Sequence, residues 1–255
     1  MKILTYSDIH LEFGGNWELP ADINGDVMIL AGDILSFENF LPLEHFLRNW
    51  KKPVLFVSGN HEYYKCRIKQ AEKAFETWAA DTVPQLHFLK NEAIEIDGVH
   101  FFGGTMWTNF NNENPLAMQI ARRGMSDFRL IYKDDGSHFM PEDTLSLHRD
   151  YTQKLLSWFE ATLSGPRIVI SHHAPVVNPN TQYVNTPLMP AFNSLDMIEI
   201  IERHKPDLWV YGHTHECDDQ MIGKTRIISN QLGYPHRTGF ECVGFDPTGK
   251  PMELK

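Results

Sequence analysis

Five nearly continuous apolar segments, each ending in polar residues, constrain the fold of this 255-residue chain most strongly. They span residues 2–7, 26–33, 53–62, 167–173 and 207–215. Apolar runs of this length without alternation predict β-strands that are buried on both faces. Helical patterns lie between these runs, at about 39–50, 65–80, 142–163 and 194–204. The alternation of strands and helices predicts an α/β protein with a substantial sheet.

Further strands are expected beyond these five. Residues 93–104 have the pattern of a hairpin whose turn is Asp97-Gly98. Segments 224–230 and 241–250 have the pattern of closing strands. A chain of 255 residues suits one large α/β domain or two small ones, with ample length for a sizeable core.

Composition restricts the partners and the location of the protein. The formal net charge of −10 disfavours nucleic-acid binding, although a metal centre would supply its own local positive charge. No apolar run approaches the roughly 20 residues that span a bilayer. Asp8 interrupts the N-terminal apolar stretch before a signal peptide could form. The cysteines are odd in number and far apart, so we expect a reducing, cytoplasmic location without membrane contact.

Residue types that bind metals follow each of the five apolar runs. They are Asp8, His10, Asp33, Asn60, His61, His172, His173, His213 and His215. Sites in open α/β sheets gather beyond the carboxyl ends of the strands, so we expect these side chains to meet. Oxygen and imidazole ligands without thiolates favour Mn²⁺, Fe or Zn²⁺ at a catalytic site. The ligands exceed what one metal with an open position needs, so two divalent metals bridged by a carboxylate fit better.

The pair His213 and His215 is a weak signal when it is taken alone, since such a pair also occurs in solvated loops. Its spacing has a physical meaning, because residues two apart in extended backbone face the same side. Gly212 lets the chain leave the strand sharply, so both imidazoles could point at one centre.

Five short motifs occur in a fixed order along the chain. They are "DIH" (8–10), "GDI" (32–34), "GNHE" (59–62), "SHHAP" (171–175) and "GHTH" (212–215). Together and in this order they resemble the calcineurin-like metallophosphoesterases, over most of the chain. The resemblance implies a four-layer αββα sandwich, with two mixed β-sheets flanked by helices, and a dinuclear metal centre.

The resemblance also implies a role for each motif residue. One metal would be bound by Asp8, His10 and His215. The other would be bound by Asn60, His172 and His213. Asp33 would bridge both metals, and His61 would contact the phosphate beside Asn60 and protonate the leaving oxygen. We accordingly expect His61, Asp33 and Asn60 to act in catalysis.

Two departures from known relatives narrow the function. Some relatives carry Arg at the position of His61 and act on lipid A precursors, which the His disfavours here. The protein Ser/Thr phosphatases have a "GDxVDRG" signature, whereas this chain reads "GDILSFE". The sequence therefore does not identify the partner that would orient His61. His173 could lie behind the metal ligands or simply pack in the core.

Three segments could wall the substrate pocket. Residues 104–141 form a long connection of the kind that often acts as a lid, and they contain Arg122 and Arg123. The irregular stretch 176–194 carries Tyr183 and Asn185, and the late loop 230–237 carries Tyr234 and His236. Aromatic and Arg side chains suit stacking and phosphate pairing. The alternative is that the two arginines lie on a solvated helix face.

We therefore predict one metallophosphoesterase domain over residues 1–255, with a lid or cap at about 104–141. It would hydrolyse a small soluble phosphate mono- or diester by attack of a metal-bridging hydroxide. The alternatives are a non-catalytic scaffold on the same fold and a nuclease. A β-lactamase-type two-metal hydrolase is disfavoured because the chain has no "HxHxDH" run.

Overall fold

The computed structural model describes residues 1–14, 17–183, 186–236 and 240–254. Its strands are β1 (Lys2–Tyr6), β2 (Val27–Ala31), β3 (Val54–Val57), β4 (Leu86–Phe88), β5 (Glu92–Ile96), β6 (Val99–Gly104), β7 (Arg167–Ser171), β8 (Leu208–Tyr211), β9 (Asp218–Ile222), β10 (Thr225–Ser229) and β11 (Met252–Glu253). Its helices are α1 (Leu41–Leu47), α2 (Ile68–Thr82), α3 (Phe110–Glu113), α4 (Pro115–Gly124), α5 (Asp127–Leu130), α6 (Pro141–Glu160), α7 (Met189–Phe192) and α8 (Met197–His204). Single 3₁₀ turns cover Leu11–Phe13 and His61–Tyr63.

The strands form two mixed sheets. The first sheet has the order β11-β1-β2-β3-β4, and the second has the order β5-β6-β7-β8-β10-β9. In the first sheet β1 to β4 run parallel, and β11 pairs antiparallel with β1. In the second sheet β6, β7, β8 and β10 run parallel, while β5 and β9 add antiparallel edges. The carboxyl ends of the parallel strands of each sheet thus lie on one edge.

The two sheets pack face to face between two layers of helices. Strand β2 shows why its sequence is continuously apolar. Val27, Ile29 and Ala31 belong to the core between the sheets. Met28 and Leu30 belong to the core that includes residues of α1 and α2. Full burial of each such side chain contributes about 1.5–3 kcal/mol.

Helices α6 and α8 cover the second sheet through a third core that includes Leu155 and Ile201. The order of layers is therefore helix, sheet, sheet and helix. The predicted four-layer αββα sandwich is confirmed.

Several predicted elements differ from the observed ones. The prediction of a strand at 241–250 is wrong: this stretch has no strand, and β11 closes the sheet instead. The reason is local, because Gly244 and Gly249 have φ of 88° and 84° and Pro247 lacks an amide donor. Strands β4 and β9 were not predicted. The hairpin at 93–104 is confirmed as β5 and β6, with positive φ at Asp97 and Gly98.

The connection 104–141 contains three short helices, α3 to α5. Its apolar side chains Phe110, Ala121, Phe128 and Phe139 are buried in the same core as α1 and α2. The segment therefore packs on the body of the protein, and its role as a lid stays a prediction.

Candidate metal centre

The seven predicted metal ligands converge at the edge where the parallel strands of both sheets end. Asp8 and His10 follow β1, Asp33 follows β2, and Asn60 follows β3. From the second sheet, His172 follows β7, whereas His213 and His215 follow β8. All seven are buried except His215, which is partly exposed.

Five of these residues adopt left-handed backbone conformations. The φ angles are 52° for Asp8, 52° for His10, 53° for Asp33, 74° for His213 and 52° for His215. Non-glycine residues avoid this region, at a cost of about 1–3 kcal/mol each, and such strain clusters at functional sites. The close packing is also visible at Gly59, where a Cβ atom would collide with Asp33 and the His172 ring.

Two groups of donor atoms could each hold a metal ion. In the first group, ligand atoms of Asp8, His10 and His215 lie within 4.8 Å of one another. The His10 and His215 Nε2 atoms are 3.1 Å apart, and His215 Nε2 is 3.6 Å from an Asp8 oxygen.

In the second group, ligand atoms of Asp33, His172 and His213 lie within 4.8 Å of one another. His172 Nε2 is 3.4 Å from Asp33 Oδ1 and 3.1 Å from Asn60 Oδ1. The structure thus brings together the two sets that the resemblance implied.

The outer hydrogen bonds of the imidazoles leave Nε2 available for metal binding. Nδ1 lies 2.9 Å from the Ala31 carbonyl in His172, and 2.9 Å from Glu241 in His215. Because those partners only accept, Nδ1 carries the proton, and Nε2 keeps its lone pair in the neutral ring. His213 Nε2 is buried without any hydrogen-bond partner among the described residues. An unpaired buried acceptor beside Asp33 and His172 fits a metal ligand.

Burial and neighbouring charges shift the pKa values of several groups in the centre. Burial would raise the pKa of Asp33, but the His172 and His61 imidazoles outweigh it and hold this pKa well below its usual range. Burial lowers the pKa of His213, with His173 and His172 adding to the effect, so His213 is a neutral ligand. Although burial lowers the pKa of His172, the Asp33 charge raises it to about 10, so a metal bound at His172 Nε2 would displace a proton.

Glu12 is a site residue that the sequence reasoning missed. It lies on the 3₁₀ turn after β1, and its Oε1 is 2.9 Å from His61 Nδ1 and 3.2 Å from His10 Nδ1. This carboxylate is therefore the orienting partner of His61 that the "GDILSFE" segment does not supply. The available signal was an acidic residue two positions after the "DIH" motif.

Glu62, the last residue of "GNHE", ties two ligand loops together. Its buried carboxylate accepts backbone N–H bonds from Asp33, Ile34 and Gly59 at 2.6–2.9 Å. Burial and the nearby Asp33 charge raise the pKa of Glu62 to about 8. It fixes the loop after β2 relative to the loop after β3.

A chain of hydrogen bonds through Tyr64 links the site to the 104–141 segment. Asn60 Nδ2 donates to Tyr64 Oη at 3.1 Å, and Tyr64 Oη donates to Asp127 Oδ2 at 3.4 Å. The Tyr64 ring also packs on the His61 ring, with centroids 4.2 Å apart. This chain points the amide nitrogen of Asn60 away from the centre and its oxygen towards His172.

Two further aromatic residues contact the site rings. Tyr234 Oη lies 3.2 Å from His61 Nε2, and the Tyr234 ring lies 4.5 Å from the ring of His10. His173 packs its ring 4.1 Å from that of His213. Burial holds the pKa of His173 well below its usual value. His173 therefore supports a predicted ligand as a neutral ring.

A cavity of about 470 Å³ opens over this centre. Asp33, Asn60, His61, His213 and His215 lie along it. Tyr183 also lines it, and its role in substrate binding stays a prediction. Neither Arg122 nor Arg123 is among the described residues that line it. Arg122 instead forms an exposed ion pair with Glu142. Asn185 lies outside the described residues.

The carboxylates and imidazoles at the edge shared by the two sheets form the donor set of a metal-dependent enzyme. The chain belongs to the calcineurin-like phosphoesterase family, whose family model matches residues 1–217. It is a metal-dependent phosphoric ester hydrolase, and the resemblance inferred from its motifs is confirmed.

Individual relatives are distant in sequence. An uncharacterized protein of Acanthamoeba polyphaga mimivirus is 26% identical, and the match covers 92% of each chain. The crystal structure of a phosphopantetheinyl hydrolase from Mycobacterium tuberculosis superposes with a TM-score of 0.73 at 16% identity, covering 92% of this chain and 90% of that one. A putative 5'-nucleotidase from Staphylococcus aureus gives a TM-score of 0.52 at 14% identity, covering 94% of this chain and 48% of that one. These likenesses show a shared fold.

Within the described parts of the chain, no helix has the length and apolar character needed to cross a membrane.

Proposed function

We propose that this protein hydrolyses a small phosphate mono- or diester at a dinuclear centre of divalent metal ions. One ion would be held by Asp8, His10 and His215, and the other by Asn60, His172 and His213, with Asp33 between them. Mn²⁺, Fe and Zn²⁺ suit this donor set. When bound, two such ions would supply a water nucleophile of lowered pKa and neutralise charge on the phosphoryl oxygens.

The observation that carries the proposal is the convergence of all seven side chains. His10 and His215 meet at their Nε2 atoms, and His172 Nε2 meets oxygens of Asp33 and Asn60. A non-catalytic scaffold has no need of a complete ligand set under an open cavity. A nuclease would need a groove of positive charge, and the net charge is −10.

His61 is the proposed proton donor to the leaving oxygen. Its Nδ1 is held by Glu12, so Nε2 is the atom that faces a substrate. Although burial lowers the pKa of His61, the charges of Asp33 and Glu12 raise it to about 9. A protonated imidazole fits a general acid, which typically accelerates such steps roughly 10²–10⁴-fold.

Metal stoichiometry and activity test the proposal together. Protein reconstituted with Mn²⁺ should bind close to two ions and hydrolyse nitrophenyl phosphate esters, and a chelator should abolish the activity. Asp33→Asn should weaken binding of both ions. Two tightly bound ions in that variant would remove the bridging role, and a metal-loaded protein that is inactive on a broad ester panel would favour the scaffold.

The ester panel should include phosphopantetheinyl esters, because the Mycobacterium tuberculosis structure is named as a phosphopantetheinyl hydrolase. A cytoplasmic location is part of the same proposal. It is supported by the three cysteines, all of which are free thiols.

A further inference from the structure

The walls of the cavity above the candidate metal centre carry negative charge. Asp127, Glu216 and Glu241 all line it. Among the described lining residues none is a lysine or an arginine. The cavity therefore differs from sites that bind several phosphate groups, where Arg and Lys pair with each phosphate.

Within the described residues, none of these three carboxylates forms an ion pair with a lysine or an arginine. Asp127 is almost fully buried, and its Oδ1 has no hydrogen-bond partner among the described residues. Glu216 Oε1 accepts the Gln182 backbone N–H at 2.9 Å. Glu241 differs, because it supports the candidate ligand His215.

Two arginines of α4 and α5 have described contacts with groups other than the wall carboxylates. Arg122 pairs with Glu142 at 3.3 Å on the surface. Arg129 donates to the Arg123 carbonyl at 3.2 Å and to Ser126 Oγ at 3.3 Å. Helices α4 and α5 therefore present Asp127 to the cavity, and the described contact of Arg129 with the cavity wall is to Ser126 and not to a carboxylate.

The remaining wall combines neutral polar side chains, such as Asn178, Thr181 and Asn193, with apolar ones. Met125, Leu188, Met189 and Phe192 line the cavity opposite the polar floor. Pockets of this size bind organic groups largely through such apolar surface, with a few polar groups that fix orientation.

We propose that the substrate has a single anionic group, the phosphate being cleaved, attached to an uncharged or cationic organic group. This inference rests on the proposed function. The candidate metal floor attracts one phosphate, whereas a second phosphate or a carboxylate would lie against Asp127 and Glu216. Like charges at close range in a partly buried site lower affinity by an order of magnitude or more. Nucleoside di- and triphosphates and sugar bisphosphates are therefore poor substrates.

Matched esters that differ in one charge test the inference on the Mn²⁺-loaded full-length protein. The first series is ethanolamine phosphate, propyl phosphate and 3-phosphopropionate, followed by phosphate release. The second is nitrophenyl diesters whose other alcohol is choline, ethanol or 3-hydroxypropionate, followed by nitrophenolate release. In whichever series the protein hydrolyses, kcat/KM should be at least tenfold lower for the carboxylate ester than for the neutral ester.

Equal or better turnover of the carboxylate ester would overturn the inference while leaving the proposed function intact. Inactivity on all six esters and on the broader ester panel would overturn both. The two failures are thus distinguishable.

Variants of Glu216 test whether this side chain causes the discrimination against the carboxylate ester. Glu216→Lys should raise kcat/KM for the carboxylate ester relative to the neutral ester by about tenfold, and Glu216→Gln should raise it by less. Glu44→Lys is the matched control, because Glu44 is exposed on α1, on the helical layer of the first sheet. If the ratio of kcat/KM for the carboxylate ester to that for the neutral ester changed equally in Glu216→Lys and Glu44→Lys, the discrimination could not be assigned to the cavity wall.

Discussion

At the scale of single residues, the site depends on how each imidazole is oriented. One oxygen of Glu12 contacts both His10 and His61 at Nδ1. The side chain is largely buried, and although burial opposes ionisation, the bonds from the two imidazoles lower the pKa of Glu12. An ionised carboxylate that accepts from Nδ1 of both rings fixes the orientation of each ring.

Glu12→Gln should therefore impair catalysis without unfolding the protein. A glutamine oxygen keeps one acceptor but loses the charge that holds His61 in its protonated form. Substitution of a residue that hydrogen-bonds a metal ligand typically lowers activity or metal affinity by about 10–100-fold. We expect kcat for alkyl esters to fall within that range, measured beside Glu18→Gln, an exposed carboxylate paired with Arg48. An unchanged kcat would refute a positioning role for Glu12.

His61 itself can be tested through the leaving group. An aryloxide such as nitrophenolate leaves without protonation, whereas an alkoxide requires it. His61→Ala should lower turnover of alkyl esters far more than that of nitrophenyl esters, with metal content unchanged. Equal losses on both substrates, at equal metal occupancy, would point to electrostatic stabilisation by His61 instead of proton donation.

At the scale of elements, the 3₁₀ turn after β3 and helix α5 meet at one tyrosine. Tyr64 links Asn60 to Asp127, and Asp127 belongs to the 104–141 segment. Tyr64→Phe keeps the ring that packs on His61 but removes the hydroxyl that orients the Asn60 amide. We expect affinity for the second metal to fall about tenfold, measured by Mn²⁺ titration.

The neighbouring residue supplies the control for this prediction. Tyr63 is buried, and its hydroxyl contacts Ser58 and Glu72 instead of Asn60. Tyr63→Phe therefore removes a buried hydroxyl of the same kind from the same turn. If both variants lost metal affinity equally, the effect would reflect packing of the turn and not orientation of Asn60.

Some residues of the candidate site could be predicted from the sequence, and others could not. His213 and Asp33 were predictable because each follows an apolar run, and the ends of parallel strands meet in space. Tyr64 and Asp127 were not, because their contact depends on how α4 and α5 fold back onto the sheet. The prediction of a strand at 241–250 was wrong for a related reason. The glycines of this segment determine its backbone conformation more strongly than its apolar residues do.

At the scale of the whole molecule, the candidate centre joins the two sheets. Asp8 and Asp33 come from the first sheet, whereas His172, His213 and His215 come from the second. Metals bound here should therefore stabilise the fold as a whole. Ligand at about 100 times its Kd contributes about 2.7 kcal/mol, which corresponds to a shift in Tm of about 5–10 °C for a protein of this size.

Removal of metal should accordingly lower Tm by that amount, measured by calorimetry before and after treatment with a chelator. His61→Ala should keep the shift, because His61 is not a proposed ligand. His172→Ala should reduce it. A chelator that leaves Tm unchanged in the wild-type protein would contradict the joining role of the centre.

The distribution of ligands over the chain also sets an order in time. Translation produces four of the proposed ligands early, namely Asp8, His10, Asp33 and Asn60. Neither proposed ligand set is complete without residues from 172 to 215. A growing chain emerges from the ribosome with its first four ligands exposed and no partner for them. Complete metal binding must therefore wait until β7 and β8 have been synthesised and have packed against the first sheet. A protein truncated before His215 would lack a complete ligand set and would be inactive.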